Sequence, residues 1–177
     1  GTLYTRTTDN QLKFEIMLTN TLNIHTGGTS GVPVTLPSLP LYNDKGKPNL
    51  DKVAVCAAIT GKTINIPDAY RNTEFEFSGT QEFDRKTGYR SQSFLTVPMK
   101  DHHDEVIGVL QLINAWDPLT RTITTFGQAE QELVESLASQ AAVALSNQRL
   151  IEQQQRLFEA FIELIAKAID DKSPYTG

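Results

Sequence analysis

The sequence predicts an α+β fold: one antiparallel sheet of about six strands flanked by helices, with a long helix at the C-terminal end. Three observations predict it. Short apolar segments follow one another in hairpin-like order through residue 115, and an alanine-rich segment interrupts them. A final stretch from Gln128 to Lys172 contains neither glycine nor proline.

Residues 12–16 alternate strictly, with Leu12, Phe14 and Ile16 on one face of a half-buried strand. Residues 2–6 supply its antiparallel partner, with Asp9 and Asn10 at the turn. Between 26 and 48 stand Gly27, Gly28, Gly31 and the prolines Pro33, Pro37, Pro40 and Pro48. They exclude regular helix there and fit a strand between irregular loops. Asn49 is placed to cap a helix over 50–60, and Gly61 to end it. Residues 63–66 form a strand stopped by Pro67, and 94–99 and 106–115 form two more across the charged tip 100–104.

The run 128–172 reads as one helix of 45 residues, about 67 Å long at 1.5 Å per residue. Leu137, Ala141, Ala144, Gln148, Ile151, Gln155, Phe158, Ile162, Ile165 and Ile169 alternate in steps of four and three. This is the 3.5-residue period of a coiled-coil seam, which implies a second copy of the chain, as a parallel homodimer. Gln148 and Gln155 are polar in that seam and fix its register at a cost in stability. The alternative is two helices, one packed on the domain and one frayed.

Composition narrows the function. Of 177 residues, 39% are hydrophobic, enough for a substantial core. Sixteen basic against twenty-one acidic residues give a net charge of −5, against a nucleic-acid or anionic-membrane binder. The single cysteine, Cys56, excludes an intrachain disulfide and fits a reducing compartment. No stretch of eighteen apolar residues and no signal-like opening occurs, so a cytoplasmic location is expected.

Chemistry-bearing patterns are few. Asp101, His102, His103, Asp104 and Glu105 are metal-ligand types, but adjacent histidines on an extended chain point to opposite faces, and a solvated hairpin tip accounts for them. Cys56 inside an alanine-rich helix fits an inert thiol. Thr60-Gly61-Lys62-Thr63 ends like a phosphate loop, but Cys56 stands where that pattern needs its first glycine, and helix precedes strand. The glycines at 27, 28 and 31 fit a flexible loop. No catalytic residue and no resident metal or cofactor is expected in this chain. Residues 68–93 hold Tyr70, Arg71, Phe75, Phe77, Phe83, Asp84, Thr87, Tyr89 and Arg90 without a clear period. They fit either a lid over a concave site or a surface segment anchored by its aromatics.

Three stretches carry a family resemblance: Thr60-Gly61-Lys62-Thr63-Ile64-Asn65-Ile66-Pro67-Asp68-Ala69-Tyr70, Thr87-Gly88-Tyr89-Arg90-Ser91 through Leu95-Thr96-Val97-Pro98-Met99, and Val106-Ile107-Gly108-Val109-Leu110-Gln111-Leu112-Ile113-Asn114. Residues 3–150 resemble a GAF domain. The resemblance implies a six-stranded antiparallel sheet with helices and a small-molecule pocket roofed by the irregular segment. The family usually opens with a helix, and this chain begins directly with a strand, so that helix is expected to be missing. The most similar subgroup binds cyclic nucleotides in phosphodiesterases and adenylate cyclases. It implies ligand contacts at Asp84, Thr87 and Ser91 in the roof, Ala54 on the first helix and Gln111 on a central strand. That subgroup's Asn-Lys and Phe-Asp-Glu signature is only partly present: Asn114 and Phe126 remain, while Ala115, Gln128 and Ala129 replace the charged members.

Residues 161–177, ending Ser173-Pro174-Tyr175-Thr176-Gly177, resemble the entry to an HD-GYP phosphohydrolase domain, cut short before its first metal-binding histidine. The expected organisation is therefore a sensor domain over 1–150, a dimeric signalling helix over 128–172, and the start of a phosphohydrolase over 161–177. By the resemblance, divalent metals belong to the missing HD domain, and the whole protein hydrolyses cyclic di-GMP under control of a ligand in the GAF pocket. The alternative is a constitutive dimerisation scaffold with no ligand.

Overall fold

The computed structural model describes residues 1–172. The last five positions of the expected phosphohydrolase entry, 173–177, lie outside the described residues, and 161–172 continue a helix. The chain divides into two compact units, one of residues 1–142 and one starting at Val143.

In the first unit β1 (Thr2–Arg6), β2 (Gln11–Thr19), β3 (Ile24–Gly27), β5 (Ile64–Ile66), β6 (Phe94–Lys100) and β7 (Val106–Ile113) form one antiparallel sheet in the order β3-β2-β1-β7-β6-β5. The two-residue β4 (Leu39–Pro40) pairs with β2 as a seventh, off-path strand. The α+β class and the antiparallel sheet thus agree with the sequence reading. The register puts Phe94 opposite Ile113, Thr96 opposite Gln111, and Gln111 opposite Thr2. With a side-chain period of two, Thr2, Tyr4, Phe94, Thr96, Val109, Gln111 and Ile113 therefore share one face.

Helix α1 (Val53–Thr60) packs on that face across β6 and β7. Ala54, Val55, Ala57 and Ala58 are buried there with Tyr4, Leu12, Leu41 and Val109. Small side chains let the helix approach closely, as its alanine-rich sequence predicts. Gly61 ends it at φ 63°, donating its N–H to the Ala57 carbonyl at 2.9 Å. The start differs from expectation. Asn49 does not cap the helix; its Nδ2 donates to the Pro40 carbonyl, tying the loop to β4, and the helix begins four residues later.

Two elements were not legible in the sequence. Helix α2 (Ser78–Thr87) lies inside the segment read as irregular, and a hairpin of β8 (Ala115–Asp117) and β9 (Thr122–Thr124) follows β7. The expected strand over 106–115 ends at Ile113, because Asn114 takes the left-handed conformation at φ 64°. Its side chain repays that strain: Oδ1 accepts from Gln92 N at 2.7 Å and Nδ2 donates to the Arg90 carbonyl at 2.7 Å.

Helix α3 (Gln128–Lys172) is continuous, as predicted. Within the first unit Val134, Ala138 and Ala142 are its buried residues, and Gln131 Oε1 accepts from Asn65 Nδ2 on β5. Within the second unit every described residue from 150 to 170 is exposed.

Candidate functional site

A cavity of about 600 Å³ opens on the sheet face that α1 only partly covers. Thr2, Tyr4, Gln111 and Ile113 form part of its floor, and Gly79, Thr80 and Phe83 of α2 roof it. Met17, Thr19 and Ile24, around the β2–β3 connection, complete the wall. The volume falls in the range of small-molecule pockets.

The floor is an internally bonded polar array. Gln111 is buried, and its Nε2 donates to Thr96 Oγ1 at 3.0 Å. The Tyr4 hydroxyl donates to Gln111 Oε1 at 3.3 Å, and burial pushes the Tyr4 phenol above its ordinary pKa. Tyr4 stays a neutral donor throughout the physiological range.

The roof is held by a second array. Asp84 is 4% exposed and is the only buried residue of α2. Its Oδ1 accepts the Ser91 hydroxyl at 2.8 Å, and its Oδ2 accepts Ser91 N at 2.7 Å and the Tyr70 hydroxyl at 2.7 Å. The hydrogen bond to Asp84 is the main cause that raises the Tyr70 pKa. Arg90 lies 4.1 Å above the Tyr70 ring, a cation–π contact that braces it. At the start of α2, Phe77 packs on Phe94 with ring centroids 5.2 Å apart. At its end Thr87 Oγ1 donates to the Phe83 carbonyl, and Gly88 closes the helix at φ 71°.

Of the residues implied as ligand contacts, Ser91 and Gln111 are among those lining the cavity. Asp84 stands behind Ser91 and is bonded to it, Thr87 is exposed at the end of α2, and Ala54 is packed in the core on the buried face of α1. Tyr4 and Thr96 were missed as site residues, because their roles arise from strand register, and Tyr70 was named only within the candidate lid segment, without its partner Asp84. For Tyr4 and Thr96 the alternation of β1 and β6 was the only available signal.

The hairpin tip is the solvated turn that the sequence suggests. His102 and His103 sit in a turn, and their rings face each other with centroids 3.8 Å apart. The Asp101 carboxylate holds this turn by accepting from His103 N and Glu105 N. Among the described residues no group of three His, Cys, Asp or Glu side chains is placed to hold a metal ion. Cys56 is partly buried, and burial pushes its thiol pKa up, which favours the unreactive protonated form. No helix among the described residues is long and apolar enough to cross a membrane.

A family model described as GAF domain matches residues 17–145. The dual 3',5'-cyclic-AMP and -GMP phosphodiesterase 11 of Drosophila melanogaster is 33% identical over 103 residues, covering 58% of this chain and 6% of that protein. The dual 3',5'-cyclic-AMP and -GMP phosphodiesterase 11A of Takifugu rubripes is 27% identical over 116 residues, covering 64% of this chain and 12% of that protein. The chain thus spans a small part of the length of the curated relatives it matches. Among solved structures, the GAF domain of an Acinetobacter phosphoenolpyruvate-protein phosphotransferase superposes with a TM-score of 0.55 at 14% identity, over 86% of this chain and 73% of that one. That of the Coxiella burnetii phosphotransferase gives 0.54 at 14% identity, over 84% and 72%. At such identities the superpositions speak for the fold alone.

Proposed function

The chain belongs to the GAF domain family, and from that premise we propose that its first unit is a regulatory module binding a cyclic nucleotide, or a small molecule of that class, beneath α2. The observation that carries this reading is the cavity itself. About 600 Å³ lies between an apolar and aromatic wall and two convergent polar side chains, Ser91 and Gln111. A purine edge or a phosphate oxygen matches the amide and hydroxyl chemistry of those two residues. The named similarity to dual cyclic-AMP and -GMP phosphodiesterases supports the same ligand class.

The output of the module is α3. We assign its seam from Leu137 to Ile169 to a parallel homodimer, since Ile151, Phe158, Ile162, Ile165 and Ile169 are all at least 44% exposed in the single chain. The domain entered after the helix is read as an HD-GYP phosphohydrolase with its own divalent metals, acting on cyclic di-GMP. The ligand regulates it by binding two helix arrangements with different affinity. Hydrolysis belongs to that following domain, and the role of this chain is binding and transmission.

One observation favours a second reading, a ligand-free dimerisation scaffold: among the described residues no buried side-chain nitrogen or oxygen lacks a partner. Thermal melting and titration calorimetry with cyclic AMP and cyclic GMP separate the two. Ligand at 100 times its Kd raises stability by about 2.7 kcal/mol, and Gln111→Leu is expected to weaken binding about tenfold. No shift with either nucleotide at millimolar concentration leaves the scaffold.

A further inference from the structure

Helix α2 has ten residues, and Asp84 is the only one of them that is buried. A helix this short is unstable in water without tertiary contacts, and beyond Phe77 at its start, which packs on Phe94, no apolar residue of α2 is buried to anchor it. The roof therefore depends on a carboxylate. We propose that Asp84 is a positioning residue, the clasp that fastens α2 over the cavity through Ser91 and Tyr70, and that it makes no contact with the ligand. The ligand half of this statement rests on the function proposed above.

The geometry carries it in three steps. An ionised carboxylate offers about four acceptor sites, and three are taken by uncharged donors at 2.7–2.8 Å: Ser91 N, Ser91 Oγ and Tyr70 Oη. At 4% exposure, and absent from the cavity lining, Asp84 presents nothing further to a guest. The Ser91 side of the clasp is anchored, because Asn114 grips the backbone on either side of it, at the Arg90 carbonyl and at Gln92 N. The Tyr70 side is the weak link: the residue is 36% exposed and its ring is held by Arg90. Opening of the roof thus begins with the Tyr70–Asp84 bond, while the Ser91 bonds keep α2 tethered.

The test compares Tyr70→Phe, Asp84→Asn and wild type by hydrogen exchange, with cyclic nucleotide kinetics alongside. Tyr70→Phe keeps the ring under Arg90 and deletes only the donor. Loss of one bond to a charged group favours opening about tenfold or more. Amide exchange across 78–93 is therefore expected to accelerate at least tenfold in Tyr70→Phe and further in Asp84→Asn, with 94–113 unchanged. Nucleotide association and dissociation should both accelerate in Tyr70→Phe, leaving Kd within about threefold, since the bond is absent from the binding surface. Unchanged exchange of α2 in both variants overturns the clasp. Asp84→Asn that loses affinity with exchange unchanged makes Asp84 a ligand contact and overturns it too. If wild type binds no nucleotide, the functional reading and the ligand half fail together, while the exchange data still decide the clasp.

Discussion

At Gly108 strand β7 meets two neighbours at once: a Cβ there would lie 2.3 Å from Met99 Cε and 2.5 Å from the Tyr4 carbonyl oxygen. The methionine can move, but the strand backbone cannot without disturbing the β1–β7 ladder beside the cavity floor. Gly108→Ala is expected to cost about 1–3 kcal/mol in urea unfolding. Asn114 is the other position where one residue sets the architecture. Asn114→Ala forfeits its two side-chain bonds to the 90–92 segment and leaves a strained backbone, for a loss of about 2–4 kcal/mol. Asn114→Gly should lose about 1–2 kcal/mol less, because it removes the left-handed penalty alone. The family resemblance singles out Asn114, yet its sequence neighbours gave no sign of a bend. Val106 to Ala115 reads as one continuous strand, and the break comes from partners some twenty-two residues away. The site residues divide in the same way. Gln111 and Ser91 could be placed from motif matches, whereas Tyr70 and Tyr4 reach the site through contacts that span 14 and 107 positions.

At the scale of elements, strands and helices with a regular apolar period were legible, and those held by polar contacts were not. Helix α1 announces itself by alanines and Gly61. Helix α2 has Phe83 as its one large apolar side chain and buries only an aspartate, so it offered no apolar run to read. Its signals were faint: Glu82 and Lys86 paired one turn apart at 2.6 Å, and Gly88 at the stop. The β8–β9 hairpin was hidden likewise, because Asp117 makes its turn by accepting from Leu119 N, Thr120 N and the Thr120 hydroxyl. The Leu119 N–H foremost, then the Thr120 hydroxyl, holds the Asp117 carboxyl below the usual carboxylate range. A lowered folded pKa means that this contribution is complete above the unfolded value of about 3.9 and is lost as pH falls through the lowered one. Fluorescence of Trp116, the neighbouring residue and the sole tryptophan, should therefore change in acid below about pH 4, and Asp117→Asn should remove that step.

For the whole molecule, the 45-residue helix is the most legible feature, since length, composition and heptad steps agree. The apolar seam residues Leu137, Ile151, Phe158, Ile162, Ile165 and Ile169 are exposed in the single chain, and so are their neighbours Leu150, Leu157, Phe161 and Leu164. Replacing Gln148 and Gln155 by leucine is expected to tighten the dimer by about tenfold or more, read as a shift of the monomer–dimer midpoint in analytical ultracentrifugation. A monomer before and after would remove the seam. The sheet domain and this helix were inferred by different means, one from alternation and turns, the other from an uninterrupted period. The α+β class agreed with the structure because neither inference required knowing long-range polar partners.

The floor of the chamber has a consequence for how a guest is received. Tyr4, Gln111 and Thr96 already satisfy one another when the chamber is empty, so an entering molecule swaps partners instead of finding idle ones. Polar recognition then contributes little net heat, and the gain comes mainly from shedding water off aromatic and aliphatic walls. Calorimetry across a temperature series should accordingly return a clearly negative heat-capacity change on binding.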